Sequence, residues 1–134
     1  MLRATIGTTP YRVELTAGDH RLVADEPADH GGADVGLAPF DLVLSGLAAC
    51  TLITLRMYAE RKGWNEVKVS GQLRHRLLDG KHLIERRLEV SGAPDEAALQ
   101  RMRDIAERTP VTLALKDGFA ISTELEASQP ASQP

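Results

Sequence analysis

The single cysteine of this 134-residue chain, Cys50, is the side chain best suited to act as a nucleophile. It lies in the segment Leu47-Ala48-Ala49-Cys50-Thr51, where its neighbours are small or apolar. A lone cysteine cannot form a disulfide bond within the chain, so it serves either as a small hydrophobic core residue or as a reactive thiol. An ordinary thiol has a pKa near 8.5 and is only about 3% thiolate at pH 7, and burial reduces that fraction further. A reactive Cys50 therefore needs a neighbouring positive charge.

That charge cannot come from the start of the predicted helix that carries Cys50. The helix begins at Pro39, eleven residues earlier, and the field of a helix N-terminus fades within the first turn. A cationic side chain must therefore reach Cys50 from another element. Arg12 and Arg21, on the predicted opening strands, are the candidates.

Two histidines could also lie close together. The Asp79-Gly80 pair predicts a tight hairpin turn, across which His75 and His82 become diagonal neighbours on one sheet face. They would hold a metal ion together or serve as solvated or packing imidazoles. His20 and His30 show no metal-ligand spacing with them, and no third ligand is evident. We therefore expect no metal and no cofactor.

The elements that position these residues follow from the periodicity of apolar side chains. Three short alternating segments open the chain, a loop rich in Gly and Asp follows, and a long helix runs from Pro39 to a C-cap candidate at Gly63. Strands and helices are segregated along the chain, which predicts an α+β fold with antiparallel sheet packed on helices. The predicted ranges are strands 3–7, 11–16 and 21–24, hairpin strands 67–77 and 82–90, a helix from 94 that stops at Pro110, and a strand over 119–125.

The long helix is unusually apolar. Residues 42–55 carry no charge, and as a helix they span only about 21 Å, less than the roughly 30 Å hydrocarbon core of a membrane. We expect a helix buried on most sides rather than a membrane span. One small sheet cannot cover so much apolar surface, so a homodimer that closes over the helix is expected.

Composition sets the class of protein. The chain is 43% hydrophobic and 26% charged, which is typical of one globular domain, here residues 1–126, with a disordered Ala-Ser-Gln-Pro tail at 127–134. A net charge of −3 and only 4% aromatic residues argue against binding to nucleic acid or to an acidic membrane. The first residues lack the continuous apolar run of a secretory signal, so a cytoplasmic location is expected.

Three consecutive motifs resemble the OsmC/Ohr superfamily, most closely its OsmC-like branch, over roughly residues 10–126. They are Gly32-x-Asp34-x-Gly36-x-x-Pro39, the helix motif around Leu47-Ala48-Ala49-Cys50-Thr51, and Tyr58-Ala59-x-x-Lys62-Gly63-Trp64. The resemblance implies an intertwined α+β homodimer, in which antiparallel sheets wrap around two central helices. Active members of the superfamily are thiol peroxidases that reduce organic hydroperoxides.

The resemblance also implies roles for individual residues. Cys50 would be the peroxidatic thiol, and an arginine from the opening strands, with Arg12 as the first choice, would steady its thiolate. The family's resolving cysteine, which starts a Cys-Pro-Val segment, corresponds to Thr109 in this chain. The family's glutamate after the helix-starting proline corresponds to Phe40. Two of the usual catalytic positions are therefore changed.

Two functions remain open on this basis. One is a one-cysteine peroxidase of oxidative stress defence, which reduces a small apolar hydroperoxide and is regenerated by an external thiol. The other is a catalytically degenerate member that binds a small apolar, lipid-like ligand at the dimer interface. A redox sensor or interaction protein is a third reading, supported only by the lone cysteine. For the first two, the predicted binding residues are Phe40, Leu47, Met57, Thr109 and Val111.

Overall fold

The computed structural model describes residues 1–128, in which three strands precede a long helix, a hairpin and two shorter helices. Of the predicted disordered tail, residues 129–134 lie outside this part of the chain. The alternation of two separate antiparallel sheets with helices confirms the predicted α+β class. The elements are β1 (Leu2–Ile6), β2 (Val13–Ala17), β3 (His20–Ala24), α1 (Pro39–Arg61), β4 (Lys68–Leu78), β5 (Lys81–Ser91), α2 (Glu96–Ala106) and α3 (Pro110–Asp117).

Helix α1 begins and ends where the sequence predicts. Pro39 occupies the first turn, where its missing N–H costs nothing, and Asp41 places a negative charge at the positive end of the helix. After Arg61 the chain turns away, and Gly63 takes the left-handed conformation with φ +75°. Such a backbone favours glycine, which has no Cβ.

We expected α1 to be buried on most sides, but in the single chain only one face of this helix is buried. The buried residues recur every four positions and form one stripe: Leu47, Thr51, Leu55 and Ala59. Ile53 and Met57 lie on the other side and are 54% and 56% exposed. Within residues 1–128, the main contacts of α1 are with the hairpin, α2 and α3, and these elements cover a single side of it. By length and composition α1 could span a membrane, but core helices of soluble proteins pass the same test, so this is weak evidence.

The hairpin confirms the prediction made from Asp79-Gly80. Both residues have positive φ, +50° and +76°, as the two central positions of a type I′ turn require. The register pairs Leu78 with Lys81, so β4 and β5 are antiparallel along their whole length. Their inner faces pack on α1 and α2 around the main core, which consists of Leu55, Ala59, Val67, Met102 and Ala106.

The end of the chain differs from the prediction. The second helix, α2, ends at Ala106, before the predicted stop at Pro110, and Pro110 instead begins α3, which the sequence analysis missed. The strand predicted over 119–125 is wrong for the single chain, because residues 118–128 form neither helix nor strand. Alternating side chains favour a strand, but the strand forms only where a neighbouring edge offers hydrogen bonds. Ile121 and Leu125 remain 85% and 94% exposed.

The predicted loop between β3 and α1 is ordered by one buried carboxylate. Asp25 is 2% exposed, and its two oxygens accept hydrogen bonds from the backbone N–H groups of Tyr11, Glu26, Ala33 and Val35 at 2.8–3.2 Å. Burial by itself raises the pKa of Asp25, but the four donors together outweigh it and leave this pKa below 3.8. The ionised form is therefore the one that holds the loop.

We expect Asp25→Asn to lower the melting temperature at pH 7 by about 5 °C or more, because the single amide oxygen cannot serve four donors. A lowered folded-state pKa stabilises the protein above the unfolded value, and this stabilisation is lost as the pH falls through the folded value. The wild type should therefore lose more stability than Asp25→Asn below about pH 4. Thermal unfolding at pH 7, 5 and 3 measures both effects, and equal pH dependence in the two proteins would contradict this role.

Gly36 lies so close to β3 that it leaves no room for a side chain. A Cβ at this position would overlap the carbonyl group of Val23, which is backbone and cannot swing aside. We expect Gly36→Ala to reduce the free energy of unfolding by about 1–3 kcal/mol. Gly7 is the matched control, since a Cβ there meets nothing within 4 Å. Urea unfolding that gives the same loss for both alanine variants would show that the close approach is unimportant.

Candidate functional site

Cys50 lies about three turns after the start of α1, between the buried stripe and the exposed side of the helix. It is half-buried, and its carbonyl oxygen accepts a hydrogen bond from Thr54 Oγ1 at 2.7 Å. Among the hydrogen bonds of residues 1–128, none involves the Cys50 sulfur. The thiol is thus neither bonded nor fully enclosed within its own chain.

The arginines proposed to activate Cys50 lie in or next to the opening sheet. Arg12 immediately precedes β2 and is about half exposed, and its Nη2 lies 3.7 Å from the carboxylate of Glu14 on that strand. Arg21 is exposed on β3, where it pairs with Thr16 of β2. The two sheets share no hydrogen-bonded strand pair within residues 1–128. None of the side-chain hydrogen bonds of residues 1–128 joins Arg12 or Arg21 to the Cys50 sulfur, and the role of these arginines stays a prediction.

An arginine that the sequence analysis missed does contact α1. Arg86 on β5 has only 12% of its side chain exposed, and its Nη1 donates to Thr51 Oγ1 at 2.9 Å. The same nitrogen donates to Thr112 Oγ1 at 3.0 Å, and Nη2 donates to the carbonyl oxygen of Ala106 at 2.9 Å. The signal was present in the sequence, because strand alternation places Arg86 between the inward-facing Ile84 and Leu88.

Thr109, at the position of the family's resolving cysteine, joins this arrangement. It is 1% exposed, and its Oγ1 lies 2.6 Å from Thr112 Oγ1. We call Thr51, Thr109, Thr112 and Arg86 the hydroxyl cluster. Each polar atom of a buried group needs a hydrogen-bond partner, and the cluster supplies them mutually. Thr109 directly precedes α3, so its hydrogen bond to Thr112 holds the start of that helix. A hydroxyl group in place of a thiol cannot form a disulfide.

Phe40, at the position of the family's glutamate, packs on the hairpin. Its ring stacks on the imidazole of His75 with centroids 3.8 Å apart and the planes within 6°. His75 Nε2 lies 2.8 Å from His82 Nδ1, which confirms that the two histidines are diagonal neighbours. Within residues 1–128 no cluster of three or more metal-ligating side chains occurs. Phe40 therefore offers an aromatic surface, 49% exposed, where the family places a charge.

The predicted apolar lining does not form one pocket in the single chain. Leu47 faces a cavity of about 480 Å³ between α1, β5 and α3, whereas Met57 faces another of about 720 Å³ on the outer side of α1. Val111 is half-buried in α3. Residues 1–128 of one chain therefore do not form a single binding site that uses both Leu47 and Met57.

The fold and the cysteine on its long helix together characterise one class of protein. Comparison with known protein families identifies that class. The profile of the OsmC-like proteins matches residues 30–124, and the chain belongs to this family. The match covers α1 with Cys50, the hairpin and both shorter helices.

Solved structures share the fold. An OsmC-like protein of Mycoplasma pneumoniae is 21% identical, with a TM-score of 0.67 over 87% of this chain and 86% of its own. An organic hydroperoxide resistance protein, OsmC, of Legionella pneumophila is 20% identical, with a TM-score of 0.59 over 87% and 88%. The organic hydroperoxide resistance protein OhrB of Bacillus subtilis is 23% identical, with a TM-score of 0.57 over 84% and 87%. No curated protein sequence matches the chain significantly.

Proposed function

We propose that the protein is a one-cysteine thiol peroxidase that reduces small apolar hydroperoxides in defence against oxidative stress. The Cys50 thiolate attacks the terminal oxygen of the hydroperoxide, an S–O bond forms and the O–O bond breaks. The alkoxide takes up a proton and leaves as an alcohol, and the sulfur, oxidised by two electrons, is left as a sulfenic acid. No cofactor is needed, because sulfur and oxygen exchange the electrons directly.

The observation that carries this proposal is the placement of Cys50. It is the chain's only cysteine, it lies in the family's helix motif, and it is half-buried on α1 with no hydrogen bond to its sulfur from residues 1–128. A thiol that served only to fill the core would be fully enclosed, as Leu55 and Ala59 are on the same helix. Partial enclosure suits a nucleophile, which must admit a substrate and still keep out bulk water.

Activation of the thiol requires a second copy of the chain. Arg12 immediately precedes β2 of the opening sheet, which makes its main contacts within itself, and the outer side of α1 is open. We infer a homodimer in which the opening sheet of one copy covers the open side of its partner's α1, bringing a guanidinium towards the thiol. Light scattering should then give twice the chain mass of 14.6 kDa. A monomer at micromolar concentration would contradict the inference.

Regeneration must use a thiol from outside the protein, because Thr109 cannot resolve the sulfenic acid. A first external thiol condenses with the sulfenic acid to give a mixed disulfide and water. A second thiol then releases Cys50 together with an external disulfide. Such thiols are abundant in a reducing compartment, which accords with the cytoplasmic location we propose.

Turnover of cumene hydroperoxide with dithiothreitol tests the reaction. We expect loss of hydroperoxide and an equal yield of cumyl alcohol with dithiothreitol present. Without it, each chain should consume one equivalent and carry a sulfenic acid on Cys50, which dimedone traps for mass spectrometry. Survival of the hydroperoxide in both experiments would overturn the proposal.

A second candidate function is binding of a small apolar ligand without chemistry. It is favoured by the two altered positions, since Phe40 stacks on His75 and Thr109 is locked in the hydroxyl cluster. Both positions then serve packing rather than catalysis. Alkylation of Cys50 by iodoacetamide at pH 7 separates the two functions. A rate above that of free cysteine supports the peroxidase, and a rate far below it supports the passive binder.

A further inference from the structure

The cavity beside Leu47 has both apolar and charged lining. Leu47, Ile84 and Leu115 contribute apolar lining, and Arg86, Glu107 and Lys116 form a charged group joined through Glu107. Its volume, about 480 Å³, is within the range of small-molecule sites. Apolar lining together with a cluster of charges is the arrangement that accepts an amphipathic molecule.

Within the charged group, one carboxylate lies between two cations. Lys116 Nζ donates to Glu107 Oε2 at 2.7 Å, whereas Arg86 Nη2 is 3.6 Å from Glu107 Oε1, beyond hydrogen-bond distance. The hydrogen bond from Lys116 lowers the pKa of Glu107, and the charges of Lys116 and Arg86 lower it further against the opposing effect of burial. Glu107 is therefore an anion at neutral pH.

The carboxylate of Glu107 is only weakly held between Lys116 and Arg86. Its side chain is 63% exposed, so rotation into solvent costs little, and an exposed ion pair of this kind contributes weakly. Arg86, by contrast, is held by its hydrogen bonds to Thr51, Thr112 and the carbonyl oxygen of Ala106, so it does not move into solvent with Glu107. If Glu107 swings out, a preformed pair of cations is left in a partly apolar cavity.

We propose that this cavity binds a monocarboxylate with an aliphatic body, whose carboxylate displaces that of Glu107 from Lys116 and Arg86. The group already seated between the cations is a carboxylate, which shows the chemistry that the pair accepts. The aliphatic body lies along Leu47, Ile84 and Leu115, where a second charged group would be desolvated without a partner. Cys50 does not line this cavity, and of the residues predicted to bind the hydroperoxide the cavity shares only Leu47.

Calorimetry of the full chain with octanoate tests the site, with 1-octanol and acetate as probes that carry only the body or only the charge. We expect octanoate to bind about tenfold more tightly than either, since both parts contribute. Lys116→Gln should weaken octanoate binding about fivefold, as for loss of an exposed ion pair. Glu107→Gln should tighten it, because the competing anion is gone.

The variants are chosen so that folding does not obscure the result. Lys116 and Glu107 are both more than half exposed, and thermal unfolding checks that each variant remains native. Glu96→Gln is the matched control, since it removes a similarly exposed pair with Arg103 on α2 and should leave binding unchanged. Octanoate binding no tighter than that of 1-octanol, or weaker binding by Glu107→Gln, overturns the proposal. Cys50→Ser should bind octanoate as the wild type does, so a failure of the peroxidase reaction leaves this result unaffected.

Discussion

Cys50→Ser is expected to reduce hydroperoxide turnover at least about a thousandfold, to the rate of the thiol reductant alone. The change replaces sulfur by oxygen with almost no change of shape, so α1 and its packing remain. Serine has a far higher pKa than cysteine and does not form a stable oxidised intermediate with a peroxide. The consumption of cumene hydroperoxide under excess dithiothreitol measures the effect.

The control for this experiment keeps the number of thiols constant. Ser45 is exposed on the same helix, so the double variant Cys50→Ser, Ser45→Cys carries one thiol at a different position. If position and environment matter, this protein is as inactive as Cys50→Ser. Activity equal to that of the wild type in either variant would show that Cys50 has no catalytic role and would favour the passive binder.

Arg86→Met should reduce the free energy of unfolding by about 2–4 kcal/mol, which is the second large effect that we expect. Methionine fills a similar volume, but it cannot donate to Thr51, Thr112 or the carbonyl oxygen of Ala106. Three buried acceptors then lose the donor that satisfies them at 2.9–3.0 Å. Urea unfolding measures this loss of free energy, provided that the slope of unfolding free energy against urea concentration is the same for the variant and the wild type.

Arg74 on the same hairpin provides the comparison for Arg86. Its side chain is 66% exposed and pairs with Glu85 at 2.7 Å, so Arg74→Met should cost only a few tenths of a kcal/mol to about 1 kcal/mol. Arg86→Lys should fall between the two, because one ammonium group cannot reach three separated acceptors. If Arg86→Met costs no more than Arg74→Met, the hydroxyl cluster does not stabilise the fold as we argue.

The features that the sequence determined by itself depend on residues close to one another in the chain. Pro39 and Asp41 start α1, and Asp79-Gly80 forces the hairpin turn. Each depends on backbone preferences over a few residues, so the pattern was sufficient. The close contact of His75 and His82 followed from the register that this turn imposes.

Other features were decided only by contacts between distant parts of the chain. Arg86 meets Thr51 across 35 positions and Thr112 across 26 positions, and these contacts form only because β5, α1 and α3 come together in the fold. The last predicted strand shows the same limit, since residues 119–125 alternate as a strand would but pair with no other strand within residues 1–128. Local pattern determines what a segment can become, and the hydrogen-bond partners that tertiary structure supplies determine which of those possibilities is realised.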